Sequence, residues 1–194
     1  IKFKISDYKE LTIALRYPQS RLLETQRDAS VRIDTLETPM ARFAPGLSLK
    51  YRGTIPNQLG LTLDGDRFTG MSPMVPESLG PYLRYLPEWI LFFEQSPPDN
   101  VLIMKTIAGQ QALASVEAGA SSILVQTPYS LLAEKLNNSS HFPQIKVRSI
   151  GSRAMLAETC TEPCQMEDHN FDRILVAIES SAPEGSSGMR PLKT

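Results

Sequence analysis

From Asn100 onward the chain alternates short apolar runs with amphipathic segments, and no other feature of the sequence narrows its fold so far. Val101-Leu102-Ile103-Met104 and Ser122-Ile123-Leu124-Val125 have the length and composition of strands buried on both faces. Lys146 to Ile150 and Ile174 to Ile178 continue the series. Gln110 to Glu117 reads as a helix stopped by Gly119 at the C′ position, where a left-handed backbone is needed. Thr127-Pro128 makes an N-cap and N1 pair for a second helix running to about Leu136. Apolar strands alternating with helices imply a parallel sheet with right-handed crossovers.

The preceding residues have a different texture. Asp7 with Glu10 three residues on, then Leu11, Ile13, Ala14 and Leu15, predicts a capped helix that Pro18 ends. Arg21 to Arg27, Val31 to Glu37 and Leu59 to Leu63 alternate apolar and polar residues between turn signals, which predicts a small, irregular sheet. The stretch from Gly70 to Pro81 is punctuated by glycine and proline and reads as a loop. The division expected is a β-rich module with an opening helix over 1–80 and a Rossmann-like α/β domain over 81–194.

Composition removes several functions. With 41% hydrophobic residues and a net charge of −1, the chain is no disordered segment and carries no basic excess of the kind a nucleic-acid surface needs. Its longest apolar run, Trp89 to Phe93, falls far short of the roughly 20 residues that cross a bilayer. The absence of Met at position 1 reads as an excised piece of a longer protein.

In an open parallel sheet, ligands lie beyond the carboxyl ends of the strands where the strand order reverses, so the loop after the first strand is the place to look. It runs Lys105-Thr106-Ile107-Ala108-Gly109, with one glycine. Val101 to Ala120 resembles the first βα unit of the spermidine-synthase-like (aminopropyltransferase) family, a branch of the S-adenosylmethionine-dependent methyltransferase fold. Leu63-Asp64-Gly65 is similar to that family's Leu-Asp-Gly, and Ile123 to Gln126 to its second strand. Ile150-Gly151-Ser152-Arg153-Ala154 resembles the turn after its third strand, and Phe171 to Pro183 its fourth strand and following loop. The resemblance covers roughly residues 60 to 190 and implies a methyltransferase-type sheet, truncated at the C-terminus, with the fourth strand beside the first.

The departures bear on function. The family's glycine-rich cofactor loop falls on Lys105 to Gly109 and keeps only Gly109. Its ribose-binding acid falls on Gln126, its adenine-side aspartate on Gly151 next to Ser152, and its loop aspartates on Glu179 and Ala182. Losing two or three ligand hydrogen bonds of about 1 to 3 kcal/mol each would turn a micromolar site into a negligible one. The expectation is a non-catalytic or diverged domain, ligand-sensing or interacting, with no cofactor. The alternative is an active aminopropyltransferase or methyltransferase using S-adenosylmethionine or its decarboxylated form. Glu179 would then be the base, Gln126 would hold the ribose, and Lys105, Gly109, Gly151 and Ser152 would line the cofactor. The partners expected are a second copy or the rest of the parent chain, which the resemblance allows to be membrane-anchored, and the setting expected is soluble and cytoplasmic. The fourth strand, at a sheet edge, is expected to be covered.

Other motifs have plainer readings. Asp64-Gly65-Asp66 has the Asp-x-Asp spacing of some metal-nucleotide sites and also the Asp-Gly signature of a hairpin, which is the reading adopted. Cys160 and Cys164, with Asp168 and His169 nearby, lack the spacing of paired zinc knuckles and read as free thiols, so no metal is expected. Lys105 is either an anion anchor or an exposed lysine. Tyr82, Tyr85, Trp89, Phe92 and Phe93 read as core packing.

Overall fold

The computed structural model describes residues 6–93, 97–150 and 173–176. The element order is α1 (Glu10–Leu15), β1 (Arg21–Arg27), β2 (Arg32–Glu37), β3 (Leu59–Leu63), β4 (Asp66–Met71), three 3₁₀ turns (Pro76–Ser78, Pro81–Tyr85, Pro87–Phe92), β5 (Asn100–Met104), α2 (Gln110–Glu117), β6 (Ser122–Thr127), α3 (Ser130–Ser139), β7 (Ile145–Ser149) and β8 (Arg173–Val176).

Strands β1 to β4 form an antiparallel sheet in chain order. The β3–β4 hairpin turns on Asp64 and Gly65, with φ of 53° and 76°, the left-handed pair that an Asp-Gly turn supplies. The Asp-x-Asp carboxylates are spent on structure: Asp64 accepts from the Arg32 amide at 2.9 Å, and Asp66 from the Glu10 amide at 3.3 Å and the Lys9 ammonium at 3.0 Å. The lysine hydrogen bond holds the Asp66 carboxyl below its ordinary range.

Three local expectations are corrected here. The first helix starts at Glu10 with Lys9 at the cap, because Glu10 turns away from a reciprocal capping bond to accept the Phe68 amide. Gly70 belongs to β4, since it pairs with Gly60 across the sheet, and Pro76, Pro81 and Pro87 beyond it start 3₁₀ turns. Thr127 is the last residue of β6 and is fully buried; Tyr129, with extended backbone, caps α3.

Strands β5 to β8 form a parallel sheet in the order β7-β6-β5-β8, so the fourth strand lies beside the first and the order reverses between them. This is the order of a Rossmann-like sheet cut after four strands. Side chains alternate across it. Val101, Ile103, Ile123, Val125, Ile145, Val147 and Leu175 face the main core, which also takes Ile33, Leu61 and Leu63 from the antiparallel sheet and Leu132 and Leu136 from α3. Ile174, on the opposite face, is 57% exposed. Among the described residues nothing pairs with the outer edge of β8, so the expected cover is not supplied by them.

Helix α2 ends as expected. Gly119 sits at φ 87°, its amide donating to Val116, while the Ala120 amide reaches Ser115, the two bonds of a Schellman motif. Helix α3 is tied to the antiparallel sheet by Lys135 to Glu24 at 2.7 Å and by the Ser130 hydroxyl donating to Asp28 at 3.0 Å.

Candidate functional site

The crevice position of an open parallel sheet, where the strand order reverses, falls past Met104 and Val176, at the carboxyl ends of β5 and β8. Lys105 opens the loop in the left-handed region, φ 61°, and its amide donates to the Gln126 carbonyl at 2.9 Å. A lysine thus holds a backbone conformation that costs a non-glycine residue about 1 to 2 kcal/mol. Thr106 is 1% exposed. Its hydroxyl accepts the Gly109 amide at 3.3 Å and donates to Gln111 Oε1 at 2.9 Å, and Gln111 Nε2 donates to Glu88 at 3.2 Å. The Gly109 amide, at the mouth of α2, is therefore directed to the protein's own hydroxyl.

Gly109 stands at the N-cap of α2 with φ 71°. A Cβ built on it would lie 2.5 Å from the Met74 methyl and 3.7 Å from Leu136 Cδ2. Met74 is wholly buried, and its carbonyl accepts the His141 amide at 2.8 Å, so the segment after β4 is pinned between the start of α2 and the loop after α3. Ile107 packs against the main core. Gln126 is 4% exposed at the end of β6, opposite Met104. Beside these, Gln110 Nε2 and Thr127 Oγ1 are buried without a hydrogen-bond partner among the described residues.

The structure thus brings Lys105, Gly109 and Gln126 to one end of the sheet. Gly151, Ser152 and Glu179 lie outside the described residues, as do Cys160, Cys164, Asp168 and His169. Among the described residues no group of three or more His, Cys, Asp or Glu could hold a metal ion, and no helix is long and apolar enough to cross a membrane. Met74 and Thr106 were not singled out in the sequence. A methionine among glycines and prolines carries no periodic signal of burial, and a threonine in a loop gives none of its hydroxyl's partners.

No family model matches the sequence, and no curated protein matches it. Among solved structures, the chain is similar to a spermidine synthase from Thermotoga maritima, with 17% identity and a TM-score of 0.46 over 80% of this chain. It is similar also to a spermidine synthase in complex with the transition-state analogue AdoDATO, with 16% identity and a TM-score of 0.46 over 84%. The chain spans about half the length of each, 48%. The strand order defines a Rossmann-like α/β domain joined to a small antiparallel β module.

Proposed function

We propose that this chain is a spermidine-synthase-like domain of a larger protein that keeps the fold without the cofactor and serves as a ligand-sensing or interaction module. Residues 1–80 are its β module and 81–194 its α/β part. The observation that supports this reading is the contact of the buried Met74 methyl with Gly109. An adenosyl cofactor needs bare backbone and free amides at that loop. Here a methionine methyl stands over the last glycine, Thr106 takes its amide, and Ile107 points to the core. S-Adenosylmethionine and its decarboxylated form do not fit these residues. Gln126 contributes a neutral amide in place of a carboxylate, and Lys105 is the one charge of the loop.

A thermal-shift titration with S-adenosylmethionine, its decarboxylated form, S-adenosylhomocysteine and methylthioadenosine tests the reading. A ligand at 100 times its dissociation constant stabilises by about 2.7 kcal/mol, roughly 5 to 10 °C for a chain of this size. The proposal expects no saturable shift at millimolar ligand. A saturable shift restores the transferase reading, with Glu179→Gln as the control for catalysis.

A further inference from the structure

Two neighbouring segments present apolar side chains to solvent. In the 3₁₀ turn Pro87–Phe92 and the residue after it, positions three apart superpose, so Pro87, Ile90 and Phe93 stand in one line. Ile90 is 77% exposed and Phe93 63%. The loop before β3 lies against this turn. Its Ser48 amide donates to the Tyr85 carbonyl at 3.0 Å, the Tyr51 and Tyr85 rings are 5.2 Å apart, and a Cβ on Gly46 would meet Pro87. At its tip Leu49 is 91% exposed, and Lys50 and Arg52 beside it are exposed too.

The loop that carries Leu49 is one-sided in charge, while on the other segment Glu94 follows Phe93 in the sequence. From Thr38 to Leu63 the sequence holds Arg42, Lys50 and Arg52 and no Asp or Glu, in a chain whose net charge is −1. Glu88, the one carboxylate of the 3₁₀ turn, hydrogen-bonds inward to Gln111.

We propose that this surface attaches the domain to an anionic membrane, with Leu49, Ile90 and Phe93 entering the interface and Lys50 and Arg52 meeting the headgroup phosphates. Apolar tips with adjacent cations are what an anionic interface selects. The three anchors project from a loop tip and a turn. A bilayer accepts such projections without a shaped counterpart, whereas a protein partner must supply a matching pocket for each. The attachment is peripheral and independent of what the crevice binds.

Co-sedimentation of the 194-residue chain with phosphatidylcholine vesicles, with and without phosphatidylglycerol, tests this. Binding is expected only with phosphatidylglycerol, weakening as salt shortens the screening length. Ile90→Ser with Phe93→Ser should lower partitioning at least about tenfold. Lys50→Glu with Arg52→Glu should remove the preference for anionic vesicles, about fivefold for each cation lost. Both pairs alter exposed side chains, and the charge pair leaves every apolar contact in place, so thermal melts should match the parent. Equal binding to both vesicle types, binding unchanged in the variants, or no binding overturns the proposal. So does a dimer by light scattering that the Ile90/Phe93 pair dissolves, which would assign the surface to a second copy.

Discussion

The Met74 methyl lies 2.5 Å from the point where a Cβ on Gly109 would stand, so the glycine at the mouth of α2 makes room for a side chain of the protein itself. The loop has left-handed residues at both ends, Lys105 and Gly109, and Met74, from the segment that leaves the β module, packs beside the second of them.

Met74→Ala should destabilise by about 2 to 5 kcal/mol, the range for removing a buried methionine. Gly109→Ala should cost at least about 1 to 2 kcal/mol from its positive φ, and more because the new Cβ would stand 2.5 Å from the buried Met74 methyl, which must shift. Denaturant melts check both. A Met74→Ala variant as stable as the parent would mean that the methyl is not packed as described.

Thr106→Val removes the acceptor for the buried Gly109 amide and the donor to Gln111. Leaving a buried amide unpaired costs about 1 to 3 kcal/mol. Thr106→Ser, which keeps the hydroxyl, should lose less than Thr106→Val, and a Thr106→Val variant as stable as the parent in denaturant melts would show that the hydroxyl is not what satisfies the Gly109 amide.

Asn137 guards the outer edge of the parallel sheet. Its amide nitrogen donates to the Val147 carbonyl at 2.9 Å and its oxygen accepts the Val147 amide at 3.0 Å, as a neighbouring strand would. Asn137→Ala should cost about 1 to 2 kcal/mol and speed hydrogen exchange at the Val147 amide. Unchanged exchange there would contradict the pairing.

Asp28 sets an acid limb. The Ser30 hydroxyl, then the Ser30 and Val31 amides, lower its carboxyl from 3.8 to about 2, with a smaller share from Ser130. The folded-state value is the lower one, so the stabilisation is whole above about pH 4 and is lost as pH falls toward about 2. Melting temperatures of Asp28→Asn across that window should fall less steeply than those of the parent. Parallel slopes would show that this carboxylate does not contribute.

Much of this architecture was legible because it is local. Apolar runs marked the four parallel strands, Gly119 the end of α2, and Asp64-Gly65 the hairpin, each through a backbone requirement that one or two residues meet. What escaped depends on tertiary partners. Glu10 abandons a capping box for the Phe68 amide; Thr127-Pro128 fails as a cap because Thr127 is held in β6; Tyr85 and Phe93 share the spacing of buried Tyr82 and Phe92 yet face solvent. At the end of β5 the sequence showed a loop with a single glycine but not the methionine beside it, since residue 74 reaches Gly109 only through the fold.

The most direct measurement is the methyl spectrum of the ¹³C-methyl-methionine protein, titrated with S-adenosylmethionine. The packing predicts a Met74 methyl resonance with an Overhauser contact to Gly109 that stays in place at millimolar ligand. A saturable shift of that resonance, or loss of its contact to Gly109 as ligand is added, would contradict it.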